Sequence, residues 1–380
     1  MESVVRHAWY VLAWSSEIGR TPLARRVLDE PIVAFRKEDR SPVALLDRCA
    51  HRLLPLSMGR VVGDTIECGY HGLRYDAAGT CVHVPGQSRI PSTACVRHFP
   101  LVERYGATWI WMGQPEEADP DRIIPVQRFE EDGWAVVWGD YQRHGSHYLN
   151  IVENLQDPAH TTFVHPRTIG NPASSDVPIL IEEEDDFIVA YRWTVDAEPP
   201  PADKANGHFA GLTDRCQRYL FYPPCVSRVD VVTMDAGQPH TESNMDRGLR
   251  AYSYKFLTPE SDQSTHFFWM HVRNFGVGDA ALEARLVAAM SETFEEDNVV
   301  VSAIQREQDA TGKRQHTWLA IDTGPTRARR KIEKMAEAEA VVDGDAATGV
   351  TAAADVKAAT DVTAAAAVDV HVPPARHVPA

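Results

Sequence analysis

The sequence predicts an α+β protein in two parts: an all-β module over about residues 1–115, then a mixed domain over about 116–340. Three observations carry this. Short β-prone segments separated by turn signals run from Trp9 to Met112. A polar stretch rich in acid and proline, Gly113 to Asp121, follows as a linker or long surface loop. Beyond it, further strands end in a long run of helical period from about Asp279 to Gln308.

In chain order, the first module is built from WYVLAW, RRVLDEPIVAFR, VALLD, RVVGDTIECGY, LRYDAAGTCVHV and YGATWIWMG, broken at turns such as Asp-Ala-Ala-Gly and Pro-Gly. In the second part a helix is expected around Leu149 to Thr162, then strands PILIEE, FIVAYRWTV, RAYSYKFLTPE and THFFWMHVRNFG, the long helix, and a last helix near Arg327 to Ala340. From Val341 to Ala380 the chain lacks aromatics and usable periodicity, the composition of a disordered tail. There is no internal repeat.

With 38 Lys+Arg against 54 Asp+Glu, the 380-residue chain carries −16 at pH 7. That charge repels phosphate backbones and anionic lipid, so nucleic acid and membrane surfaces are poor partners. No apolar run is long enough for a membrane span and MESVVRHAWY lacks a signal-peptide layout, which predicts a cytoplasmic protein. Six cysteines are too few for a disulfide scaffold at this length, so thiols or metal ligands are expected.

Two of the cysteines fall into a pattern. Cys49-Ala-His51 and Cys68-Gly-Tyr-His71 place one thiol and one imidazole on each of two loops that follow β segments. Structural zinc usually takes matched C-x2–4-C and H-x3–5-H knuckles. Splitting sulfur and nitrogen across both loops suits a [2Fe–2S] cluster in which both thiolates hold one iron and both imidazoles the other. Neutral imidazoles remove negative charge and raise the reduction potential, to about −150 to +300 mV. Gly69 and Gly72 allow close backbone approach, and Pro55 and Pro85-Gly86 are available for a covering loop. Cys81 and Cys95 fall outside the pattern and are expected as buried small hydrophobes.

A second constellation lies in HYLNIVENLQDPAHTTFVHP, with Asn154, Asp157, His160 and His165. Residues five apart on a regular helix point away from each other, so the two histidines converge only if the helix breaks between them. Pro158, which cannot donate to the Asn154 carbonyl, supports such a break. On the long helix, Met290, Phe294, Val301 and Ile304 form an apolar stripe, and Asp297 falls on it while Glu295 and Glu296 point elsewhere and can be solvated. A carboxylate facing a core must be paired or bind metal. Two imidazoles and one carboxylate with open positions make the facial triad of non-haem Fe(II) oxygenases. The alternative for Asp297 is a buried ion pair or a cap.

Both constellations, in this order, resemble the α-subunits of Rieske non-haem iron oxygenases over about Ala8 to Met335. Within that family AWYVLAW, CGYHGLRYDAAGTCVHVPGQ, LTPESD, RNFG and WLAIDTGPTRARRKIEKM resemble the vanillate O-demethylase oxygenase branch, which includes dicamba demethylase and toluenesulfonate methyl-monooxygenase. The resemblance implies a Rieske [2Fe–2S] domain beside a helix-grip catalytic domain. It implies one cluster held by Cys49, His51, Cys68 and His71 and one mononuclear Fe(II) held by His160, His165 and Asp297. It also implies a homotrimer fed with electrons from NAD(P)H by a separate flavin and ferredoxin-type reductase, acting with O2 on a small aromatic substrate.

O-demethylation of a methoxylated aromatic acid such as vanillate, releasing formaldehyde, is the activity that branch implies. Ring hydroxylation or N- or C-methyl oxidation of another aromatic is the rival on the same scaffold. By the same resemblance Asp157 bridges His160 to His71 of a neighbouring chain, and Asn154 lies near the iron. A helix cap or turn role is the alternative for both. Lys255, Tyr222, Phe268 and Trp269 are candidates for the substrate pocket, against an exposed strand lysine and ordinary core packing. The basic run Arg327, Arg329, Arg330 and Lys331 is a candidate docking site for the reductase, against a solvated helix face.

Overall fold

The computed structural model describes residues 3–348 except 208, 210, 315 and 316. The chain forms two compact units, one comprising residues up to Ile123 together with Thr258–Asp262, the other the remainder.

The first unit is all β. Strands β1 (Trp9–Trp14), β2 (Leu23–Val27), β3 (Glu30–Arg36), β4 (Pro42–Leu46), β5 (Arg60–Val62), β6 (Thr65–Glu67), β7 (Arg74–Tyr75), β8 (Cys81–His83), β9 (His98–Phe99), β10 (Leu101–Arg104) and β11 (Ala107–Trp111) make three small antiparallel sheets. Their orders are β1-β11-β10, β2-β3-β4-β9 and β5-β6-β7-β8. One apolar cluster, containing Val33, Phe35, Leu45, Leu56, Ile66 and Tyr75, also encloses Cys49 and Cys68. The unit runs past the expected boundary at residue 115 because its own polar groups capture the following segment. The Trp9 indole donates to Asp119 O at 2.8 Å and Arg104 donates to Pro120 O at 2.9 Å. Thr258–Asp262 joins the same unit through the Thr258 hydroxyl on Val11 O and Leu28 N–H on Pro259 O.

In the second unit β12 (Ala135–Trp138) and β13 (Gln142–His144) precede α1 (Tyr148–Leu155) and α2 (Thr161–Val164). Then follow β14 (Leu180–Glu183), β15 (Ile188–Ala197), α3 (Pro201–Asn206), β16 (Thr213–Tyr222), β17 (Val226–Asp235), α4 (Glu242–Arg247), β18 (Leu249–Ser261), β19 (Ser264–Arg273), α5 (Ala280–Thr311) and α6 (Thr323–Thr348). The sheet order is β12-β19-β18-β17-β16-β15-β14, with β13 also pairing with β19. Its face toward α5 is aromatic: Phe267 and Trp269 of β19 meet Phe294 of α5 at 5.2 and 5.4 Å between centroids.

Strands β16 and β17 are not announced by the sequence, because charges interrupt their apolar pattern. Those charges are buried and paired: Arg215 donates to Asp203 at 2.9 Å, and Arg228 grips Asp230 with two bonds. The long helix is N-capped by Asp279, whose side chain accepts from Leu282 N–H. Its buried stripe differs at one end. Ile304 is 44% exposed, and Gln305 is buried in its place, where its Oε1 accepts from His147 N–H and the Asn150 amide.

The last helix begins earlier than expected and continues through Thr348, into the segment read as tail. The rest of that tail, 349–380, lies outside the described residues. Arg329 is not on a solvated face either: it is buried and paired with Glu153 of α1, while Lys331 donates to Glu184 O. No helix among the described residues is long and apolar enough to cross a membrane.

Candidate metal centres

The two Cys/His loops share one backbone design. Cys49 N–H donates to Leu54 O and Leu53 N–H returns to Cys49 O; Cys68 N–H donates to Leu73 O and Gly72 N–H returns to Cys68 O. The fifth residue of each loop is left-handed, Leu53 at φ 60° and Gly72 at φ 72°. Glycine suits that conformation, and at Gly72 a Cβ would also press to 3.0 Å from Pro85 Cγ, the covering segment. Both thiols are 2% exposed, whereas His51 and His71 are exposed with ring centroids 4.6 Å apart.

Burial pushes the Cys68 thiol up, while the N–H groups of Tyr70 and His71 pull the other way. Two thiols in a dry pocket facing N–H donors suit thiolates balanced by metal. Tyr75 supplies a further donor. Its hydroxyl accepts from Ala50 N–H at 3.1 Å and lies 3.2 Å from Cys49 Sγ, to which it donates once that sulfur is a thiolate. Cys81 belongs to the same core, but Cys95, expected buried, is exposed.

In the second unit α1 stops at Leu155, as Pro158 dictates, and the chain turns before α2. His160 caps α2 on one side and His165 on the other, which brings their ring centroids to 5.3 Å. Gly170 lets the chain double back, since a Cβ there would meet His165 O at 2.7 Å and Thr161 O at 2.8 Å. The buried Arg192 of β15 ties this loop down, donating to Pro158 O at 3.0 Å, the Thr161 hydroxyl at 3.2 Å and Ser174 O at 2.8 Å.

Asp297 enters from α5, 6% exposed. Its Oδ1 lies 3.4 Å from His160 Nε2 and 3.1 Å from His165 Nε2, and one ligand atom from each of the three residues falls within 4.8 Å of the others. Asn154 Nδ2 donates to the same Oδ1 at 3.1 Å. Burial alone would push the Asp297 carboxyl up; the bonds to His160 and His165 outweigh it and hold the group well below the usual range. Two ring nitrogens aimed at one buried carboxylate oxygen are the donor set and convergence that a divalent metal requires.

The structure corrects one reading here. Glu296 is not merely solvated: its Oε2 lies 2.8 Å from His165 Nδ1. With Nδ1–H donating to Glu296, Nε2 keeps its lone pair for the site. Sequence periodicity could not find this residue, because it sits beside the stripe and acquires its role only from the incoming ring. Asp157 stands 3.9 Å from His160 Nδ1 and accepts from Ala159 N–H at 2.8 Å. The Asp157 carboxyl is raised, chiefly by burial.

Around the triad, His144 is buried against Phe267 and burial lowers it to about 4. Of the pocket candidates, Trp269 reaches Phe294, whereas Phe268 packs on Tyr141 and Tyr222 on Phe187. Lys255 is 3% exposed, which excludes the exposed strand lysine that stood as its alternative.

The Rieske [2Fe-2S] domain matches residues 8–100, and the vanillate O-demethylase oxygenase C-terminal domain matches residues 144–338. The chain belongs to the Rieske non-haem iron oxygenases. This oxygenase is 33% identical to the dicamba O-demethylase oxygenase component of Stenotrophomonas maltophilia, over 88% of this chain and 99% of that one. It is 32% identical to the toluene-4-sulfonate monooxygenase iron-sulfur subunit of Comamonas testosteroni, over 88% and 98%. A crystal structure of dicamba monooxygenase bound to 3,6-dichlorosalicylic acid superposes with a TM-score of 0.81 at 31% identity, over 88% of this chain and 98% of that one.

Proposed function

We propose that this oxygenase is the terminal component of a multicomponent aromatic monooxygenase, and that it O-demethylates a methoxylated aromatic acid such as vanillate. The observation that carries the reading is the convergence of His160, His165 and Asp297 within 4.8 Å, in a chain that also bears the Cys49/His51/Cys68/His71 loops. In this reading those four residues hold the Rieske cluster and the triad holds Fe(II). The cluster passes single electrons and the iron supplies O2 activation when bound. The overall reaction takes O2, two electrons and two protons, and gives the phenol, formaldehyde and water from the aryl methyl ether.

The protein's own part is placement and proton control. Glu296 sets the tautomer of His165, Asn154 and the two histidines keep Asp297 ionised, and Arg192 fixes the loop between them. The Asp157 carboxylate, 3.9 Å from His160 Nδ1 in the single chain, joins His160 to the cluster histidine His71 of a neighbouring subunit once a homotrimer forms. Electrons come from NAD(P)H through a flavin and ferredoxin-type reductase, in the cytoplasm. The equal likeness to a toluene-4-sulfonate monooxygenase subunit supports methyl-carbon oxidation as the second reading.

The test is a single turnover: iron-replete protein, reduced without air, mixed with vanillate and O2. Formaldehyde and protocatechuate in equal amounts are expected. Absence of both, with cluster and mononuclear iron intact, displaces vanillate.

A further inference from the structure

Strand β19 meets β12 and β13 with a break of one residue in register. Trp138 pairs with Met270 and Gly139 N–H donates to Trp269 O, whereas Gln142 pairs with Phe267, so Asp140 and Tyr141 both stand opposite Phe268. A bulge of this kind re-aims side chains. Tyr141 goes to one side, onto Phe268, and Asp140 to the side where α5 lies. There its Oδ1 accepts from the Trp269 indole N–H at 3.3 Å and from the Ser291 hydroxyl of α5 at 2.5 Å. Gly139 gives the indole its room, since a Cβ at that position would strike the ring.

Trp269 is 0% exposed, while Asp140 is exposed. On its other side the indole meets the ring of Phe294 at 5.4 Å between centroids, and Phe294 stands just under one helical turn before Asp297 on α5. A single phenyl ring thus separates the indole from the metal ligands, and the indole N–H leads away from them to a carboxylate in contact with water. Other indoles of this chain are held differently. Those of Trp9, Trp109 and Trp111 donate to the backbone oxygens of Asp119, Arg104 and Gln114.

The difference matters for redox chemistry. Indole gives up one electron more readily than a phenyl ring, and the cation so formed is a strong acid at nitrogen. A base already bonded to that N–H takes the proton as the electron leaves and lowers the barrier. A backbone carbonyl cannot act as that base; a carboxylate can.

We infer that Trp269 is a protective one-electron donor, with Asp140 as its proton acceptor, that disarms oxygen chemistry begun at the iron without a substrate in place. This rests on the reading that His160, His165 and Asp297 hold the iron. Trp269 loses one electron to the oxidant derived from O2 and its Nε1 proton to Asp140, which leaves a neutral indolyl radical and an oxidant reduced by one electron. Asp140 passes the proton to solvent. One electron and one proton from a soluble thiol, which leaves as its thiyl radical, restore the indole at the Asp140 edge. The ligand histidines are spared.

The test is freeze-quench electron paramagnetic resonance of the full-length holoenzyme, reduced without air and mixed with O2 in the absence of any aromatic compound. A narrow organic-radical signal is expected, altered in width when the protein carries ring-deuterated tryptophan and lost in Trp269→Phe. Asp140→Asn keeps the shape beside the indole but cannot take its proton, and should slow the appearance of the radical by about 100-fold. After repeated cycles, peptide mass spectrometry should find His160 and His165 oxidised faster in Trp269→Phe than in wild type. A wild-type protein with no radical, or with one that deuterated tryptophan does not alter, overturns the inference without recourse to any variant. So does an unchanged radical, or unchanged histidine oxidation, in a Trp269→Phe protein with wild-type circular dichroism and cluster spectrum. The nitric oxide adduct of the mononuclear iron keeps the two readings apart. Its absence from iron-loaded protein removes the iron-site reading, and its presence without an indolyl radical removes only the role of Trp269.

Discussion

The two metal centres are built by opposite strategies. In the first unit, two short loops repeat one hydrogen-bond pattern and present buried sulfurs with exposed imidazoles. In the second, His165 and Asp297 meet across 132 residues, and the histidine loop is held by Arg192 from a separate strand. Local closure makes the first site a property of its motif. The second is a property of the sheet and of helix α5, and its groups are held by partners that arrive from distant parts of the chain. That is why the second site has partners such as Glu296 and Asn154 that no spacing rule announces.

If the centres are independent in construction, they should fail independently. Asp297→Ala should remove the mononuclear iron and lower turnover by at least about a thousandfold, leaving the visible spectrum of the cluster intact. Cys68→Ala should erase that spectrum while the nitric oxide adduct of the mononuclear iron persists. Loss of both signals in either variant would break the comparison. A smaller effect sharpens it: Glu296→Gln keeps a hydrogen-bonding group beside His165 Nδ1 but removes the charge, and should weaken Fe(II) binding by about 10- to 100-fold in a chelator competition. A value within twofold of wild type would reduce Glu296 to a surface acid. Smallest is Tyr75→Phe, which removes one O–H donor from Cys49 Sγ. Fewer donors to sulfur destabilise the reduced cluster, so voltammetry should record a lower reduction potential, at a stability cost of about 1 kcal/mol.

The same contrast governs what could be read before folding. The cluster loops were legible because thiol and imidazole spacing, turn glycines and flanking strands all lie within one short stretch. The helix break at Pro158 and the inward turn of Asp297 were legible too, since proline removes a donor and helical period assigns faces. Strands β16 and β17 were not, because Arg215, Arg228 and Asp230 look like surface charge until their partners are known. The boundary near residue 115 shifted for a similar reason, the Trp9 and Arg104 side chains holding the next segment to the first unit.

By itself, then, the sequence determined the α+β division, the two candidate donor sets and the local backbone breaks beside them, since these follow from residue type and near-neighbour geometry. Tertiary structure alone decided that Gln305 rather than Ile304 turns inward, that Arg329 is spent on Glu153, that Glu296 reaches His165, and that Lys255 is buried. Each of those outcomes depends on which distant side chain arrives opposite, and on the free energy of leaving a polar group unpaired where water cannot reach it.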